Sequence, residues 1–178
     1  DAFDPVLFAG SFVALTVLAL VTIAVLQFIR IPPPPKKSEI GDTGRPMSEI
    51  AKDPRFVIAV LSGMVGYATM SFIMTATPLA MIDCGFVFDD AAFVIQGHVI
   101  AMFLPSFFTG HLIKRYGVTR IILTGALLYL CSTAFTASGI EMFQFFAGLV
   151  LLGVAWNFMF VGATTLLTDC YRPEEKAK

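Results

Sequence analysis

Residues 142–167 read MFQFFAGLVLLGVAWNFMFVGATTLL, without one Asp, Glu, Lys or Arg. An α-helix rises about 1.5 Å per residue, so about 20 such residues cross a hydrocarbon core of about 30 Å. Inside lipid a helix is the only solution for a run of this kind, because barrel strands alternate in polarity and are half as long. Four further apolar blocks precede it, running approximately from Val6 to Ile29, Phe56 to Ile82, Ala91 to Ile113 and Val118 to Ser138. The expected fold class is therefore all-α integral membrane, with about five transmembrane helices.

Composition points the same way. The 178 residues are 57% hydrophobic and 14% charged, with 18 Phe and a mean hydropathy of +0.81, well beyond an ordinary soluble domain. The lipid bilayer is the expected surrounding, and with a net charge of −1 and no basic surface, nucleic acid is excluded as a partner. The first block opens with Asp1 and Asp4 instead of a positive n-region and shows no small-residue cleavage pattern before Arg30, so it reads as a span, not a signal peptide. The chain starts at Asp1 without an initiator Met and stops in the polar stretch Tyr171 to Lys178, as expected of a fragment cut at both ends. A Cys84 to Cys170 bridge would have to cross roughly 30 Å of bilayer, and Cys131 lies within a span, so no disulfide is expected.

The cations sort by segment. Arg30, Lys36, Lys37, Arg45, Lys52 and Arg55 lie between spans one and two; Lys114, Arg115 and Arg120 lie between three and four; Arg172, Lys176 and Lys178 follow span five. These are all 12 basic residues, and the start of the chain, the Asp83 to Asp90 connection and the Gly139 to Glu141 turn have none. The positive-inside rule then predicts an N-terminal end outside and a C-terminal end in the cytoplasm. The Arg30 to Arg55 connection combines Pro32 to Pro35 with Gly41, Gly44 and mixed charge, which predicts an extended linker between two helical groups. Its end, Pro46 to Lys52, is expected to form a short amphipathic helix on the inner membrane surface before Pro54 breaks it.

After span three the chain reads Gly110-His111-Leu112-Ile113-Lys114-Arg115-Tyr116-Gly117-Val118-Thr119-Arg120. Gly117 permits a tight reversal between antiparallel helices, and Gly110 is expected to permit close helix approach. Lys114 and Arg115 end a helix where its dipole favours cations, facing an anionic leaflet. This stretch resembles the signature G-x-L-x-D-R-x-G-R-[KR] of the major facilitator superfamily (MFS), carried here by Gly110, Leu112, Arg115, Gly117 and Arg120. Lys114 stands where the family has Asp, and Val118 replaces a basic residue, which puts an Asp-based gate at this loop in doubt.

The resemblance implies a register within a 12-helix fold. Residues 1–29 would be the last helix of the first half, 30–55 the central cytoplasmic linker, and 56–178 the first four helices of the second half with the following cytoplasmic loop. The spans then correspond to helices six to ten, and the motif falls between helices eight and nine, where the family places it. The ending Thr168 to Lys178, with Pro173-Glu174-Glu175 followed by Lys176, also looks like the family's connection after helix ten.

Polar and adaptable groups in the spans supply the candidate working residues. Tyr67, Met70, Ser71, Met74, Thr77, Pro78 and Met81 form a Met-rich stripe at helical spacing, which either packs helices or adapts to an organic solute. Gln96 and His98 are intramembrane polar groups two residues apart, so they point to different faces and only one looks readily into a given cavity. His98 shares its face with Met102, Pro105 and Thr109; it is either a proton-responsive group or a hydrogen-bonded structural histidine. Trp156 and Asn157 lie near mid-bilayer, with Asn157 on a face with Gly153, Phe160 and Thr164. Asn there must find a partner, either a solute or a neighbouring helix. The substrate-cavity candidates are thus Asn157, Trp156, Tyr67, Met70, Met74, Gln96 and His98.

No catalytic residue, metal site or cofactor is expected. No carboxylate lies deep in a span, which excludes an intramembrane aspartyl protease. His98 and His111 sit on one helix about 20 Å apart by rise and cannot clamp a haem. What the resemblance implies is secondary transport of a small-molecule substrate by alternating access, in the inner (plasma) membrane of a bacterium, with the remaining helices of the same transporter as partners. The competing expectation is a non-transporting membrane anchor or assembly subunit. Accessibility labelling of introduced cysteines is expected to find the polyproline segment and the final lysines on the same side of the bilayer; opposite sides would overturn the topology.

Overall fold

The computed structural model describes residues 8–30, 45–172 and 175. The polyproline run, the first residues of span one, and Pro173 and Glu174 of the closing pattern lie outside them. The chain divides into two units, residues 1–42 and residues 43–178. The first contains helix α1 (Ala9–Leu26), apolar around its whole circumference. Its two threonines return their hydroxyl protons to the helix itself, Thr16 to the Phe12 carbonyl at 2.9 Å and Thr22 to the Leu18 carbonyl at 2.8 Å. A hydroxyl bonded one turn back presents no unsatisfied group to lipid.

The second unit is built of α2 (Met47–Ile50), α3 (Pro54–Asp83), α4 (Phe88–Phe103), α5 (Ser106–Tyr116), α6 (Val118–Ala137) and α7 (Met142–Asp169). Among the described residues, four helices, α1 included, are long and apolar enough to cross a membrane, and five spans result if α4 and α5 count as one bent span. The boundaries of the spans correct the sequence reading at two places. The segment after Pro46 makes only one helical turn and buries Ile50 completely, so it packs against protein where a surface-lying amphipathic helix was expected. Pro54 does not merely break that turn. It is the first residue of α3, capped by the Asp53 carboxylate, which accepts from the Arg55 N–H at 2.9 Å; proline suits that position because its missing N–H has no helical partner there.

The second correction concerns span three. A single helix from Ala91 to Ile113 was expected; α4 and α5 instead meet at Leu104 and Pro105 with a bend of 43°. Proline removes one backbone donor and its ring crowds the preceding turn, so the ladder breaks there. Pro78 leaves α3 continuous.

Helix α7 is the hub, in contact with α3, α4, α5 and α6. The registers fix the directions. Gly63 and Gly66 of α3 face Ala163 and Met159, and Gly125 and Ser132 of α6 face Met159 and Gly148, both in descending order, while His98 and Met102 of α4 meet Leu149 and Asn157 in ascending order. Thus α4 runs parallel to α7, and α3 and α6 run against it. Because lipid tails are as apolar as leucine, such helices associate through close packing and interhelical hydrogen bonds. Gly153 marks a close approach of α4 and α7: a Cβ there would lie 2.6 Å from the His98 carbonyl oxygen and 2.9 Å from Ala101 Cβ.

The entry and exit of this unit are joined. Arg45 grips Glu175 through Nε to Oε1 at 3.0 Å and Nη2 to Oε2 at 2.9 Å, and Nη2 also donates to the Cys170 carbonyl at 3.0 Å. The Arg172 N–H adds a bond to Oε2 at 2.9 Å. These donors, the Arg45 side chain first, hold the Glu175 carboxyl at about 2, below the usual carboxylate range. The segment before α3 and the segment after α7 therefore share one end of the bundle. Gly153→Ala is expected to lower the unfolding free energy by about 1–3 kcal/mol, seen as a lower melting midpoint of the detergent-purified protein; an unchanged midpoint would contradict the tight α4–α7 contact.

Candidate functional site

The polar centre of the second unit is built around Asn157, which is wholly buried. Its amide nitrogen donates to the Met102 carbonyl at 2.8 Å and to Ser106 Oγ at 2.6 Å, and its carbonyl oxygen accepts from Thr109 Oγ1 at 2.6 Å. These partners flank Pro105 on both sides. The side chain of α7 thus takes up a carbonyl at the broken turn and ties the end of α4 to the start of α5. The single Thr109 hydroxyl proton is shared, since the Pro105 carbonyl also lies 2.8 Å from Oγ1. The network explains how a span holds a bend of this size in lipid: a neighbouring helix re-satisfies what proline disrupts.

Beside Asn157, the indole of Trp156 stacks on Phe160, with centroids 4.8 Å apart and planes within 9°. Phe103 of α4 meets it edge-on at 6.4 Å. Among the described residues no acceptor reaches Trp156 Nε1. His98 is also wholly buried, and its Nδ1 lies 2.9 Å from the Leu149 carbonyl. A carbonyl only accepts, so Nδ1 carries the proton and Nε2, which has no partner among the described residues, presents a lone pair.

The other candidates separate by exposure. Gln96 is exposed whereas His98 points inward, as two residues' spacing on a helix requires. Met70 and Met81 of the α3 stripe are buried in the helical core and Met74 packs against it, while Tyr67 is exposed. In the loop motif, Gly117 has φ 87° and is the single residue between α5 and α6, a conformation that costs glycine little. The Arg115 guanidinium lies 5.3 Å from the Tyr116 ring centroid. Leu112 is partly buried and Arg120 exposed. A Cβ on Gly110 would meet nothing within 4 Å among the described residues. Close helix approach among the described residues is seen at Gly153.

Sequence reasoning missed Ser106, Thr109 and Phe103 as parts of this centre. Hydroxyl residues directly after a mid-span proline were the available signal. A cavity of about 250 Å³ between α3, α6 and the start of α7 is lined by groups such as Phe72, Thr77, Thr133, Thr136 and Phe145. Those three threonine hydroxyls donate back to their own helices, which leaves their protons committed and the lining predominantly apolar.

A buried polar clamp, an aromatic cluster and a helix hairpin closed by one glycine, all on apolar helices, define a polytopic membrane protein. A family model described as Major Facilitator Superfamily matches residues 3–178. The chain is 45% identical over its whole length to the riboflavin transporter RfnT of Brucella anthropi, and covers 45% of that protein. It is 36% identical to the uncharacterized MFS-type transporter YddS of Bacillus subtilis, over 68% of this chain and 28% of the relative. To YdeG of the same organism, likewise an uncharacterized MFS-type transporter, it is 33% identical over 96% of this chain and 42% of the relative. No solved structure gives a significant match. The chain belongs to the major facilitator superfamily, a family of membrane transporters and not of enzymes. It spans less than half the length of each of these relatives.

Interhelical hydrogen bonds in bilayers average about 0.6 kcal/mol each, so losing three is worth about 2 kcal/mol. Asn157→Ala is accordingly expected to lower the melting midpoint of the purified intact protein. A midpoint unchanged from wild type would show that the α4–α5 bend does not depend on this side chain.

Proposed function

We propose that this chain is part of a secondary transporter that moves a small, uncharged, aromatic solute of the flavin type across a bacterial inner membrane by alternating access. The observation that carries the reading is the 45% identity, over the full chain, to a protein named as a riboflavin transporter. The absence of charge from the interior supports it, since the described Asp and Glu residues lie at helix ends or in connections. So does the aromatic surface on α4 and α7.

In this reading residues 1–29 are the last helix of the first half, 30–55 the central cytoplasmic linker, and 56–178 the first four helices of the second half with the loop that follows. The N-terminal end lies outside and the C-terminal end in the cytoplasm, which puts Arg45, the Lys114 to Arg120 hairpin and Arg172 at the anionic inner face. Substrate candidates are Trp156, Tyr67, Met70, Met74, Gln96 and His98, with Asn157 acting through the helices it joins. The second half rocks as a body around α7, because its polar bonds tie α4 and α6 to α7 and α6 to α3.

Counterflow in proteoliposomes tests this without presupposing import or export. The intact transporter, preloaded with riboflavin, is expected to accumulate radiolabelled riboflavin transiently and saturably. Counterflow of another solute but not of riboflavin removes the flavin assignment; no counterflow of any solute removes transport.

A further inference from the structure

We propose that Trp156, Phe160 and Phe103 form a stacking shelf for a planar heteroaromatic solute, and that the Trp156 indole N–H donates a hydrogen bond to an in-plane carbonyl oxygen or ring nitrogen of that solute. This rests on the transporter reading above and assigns the recognition within it.

Three observations converge. First, Trp156 is 8% exposed, yet its only polar atom has no partner among the described residues. A buried donor left without an acceptor is costly, and tryptophan N–H groups ordinarily find one when buried. Secondly, exposure rises outward through the cluster, from 8% at Trp156 to 37% at Phe160 and 58% at Phe103. The indole is therefore the inner end of an aromatic surface whose outer rings remain open. Thirdly, Trp156 adjoins Asn157, whose three bonds lock α7 to α4 and α5, so the indole is held by a rigid base.

The chemistry of the solute follows from what the shelf offers. Parallel and edge-on rings reward a flat π-system, and stacking on aromatic side chains tolerates many rings. A single oriented donor selects among them for an acceptor in the ring plane. No described carboxylate or cation lies within α7 between Met142 and Leu167, so a neutral ring system is favoured over an ion.

The test uses the intact transporter in lipid nanodiscs, with riboflavin, lumichrome and adenine as probes. Trp156→Phe keeps a ring and removes the donor; it is expected to weaken binding of the best probe by about 3- to 10-fold. Phe160→Leu removes the stacking partner and is expected to weaken it by roughly 10-fold or more. Both variants should keep the wild-type melting midpoint, and the tryptophan fluorescence quenched by the bound probe in wild type should be lost in Trp156→Phe. Unchanged affinity in Trp156→Phe overturns the hydrogen bond, and unchanged affinity in both variants overturns the shelf. A lower midpoint with unchanged affinity assigns the N–H to another part of the transporter and equally overturns the proposal. Binding of none of the probes by a protein that carries some other solute sinks the inference and leaves transport standing, whereas a protein that carries nothing sinks both.

Discussion

Hydrocarbon offers no hydrogen-bond partners, so every polar group that a spanning helix carries must be answered inside the protein. Helix α7 is where this chain meets much of that requirement. Its carbonyls at Gly148 and Leu149 receive Ser132 and His98, and its Asn157 reaches across to three groups around Pro105. Small residues let these bonds form, because a side chain at Gly153 would hold α4 away from α7. Packing and polarity are in this sense one constraint: the helices must come close for the polar groups to be satisfied, and satisfying them keeps the helices close.

The two mid-span prolines illustrate the same rule with opposite outcomes. Pro78 sits in a continuous α3, where the Thr77 hydroxyl bonds one turn back to Ile73 at 2.8 Å. Pro105 divides α4 from α5, and there a neighbouring helix supplies the missing bonds. A proline in a span therefore bends it sharply when a partner stands ready to receive the freed groups.

How much was legible in the sequence follows from the range of each interaction. The spans could be read because an uncharged run is a local property, as at Met142 to Leu167, and Gly117 because a one-residue reversal demands its backbone freedom. The stripe on α3 was visible as a stripe, but which helix covered it was not: Met70 and Met81 entered the core while Tyr67 stayed exposed. The partners of Asn157 lie 48 to 55 positions away in the chain, and the Tyr129 hydroxyl of α6 donates at 2.7 Å to the Gly66 carbonyl of α3, 63 positions away, beyond any periodicity argument. Gly110, the first residue of the loop motif, was read as a point of close helix approach, and a Cβ there meets nothing within 4 Å among the described residues.

The joint at Gly117 has a mechanical corollary. With a single residue between α5 and α6, there is no slack in which a change of angle at Pro105 could dissipate. The direction of the short α5 and the position of the adjoining end of α6 are thereby tied together, and a longer connection at that point would uncouple the two.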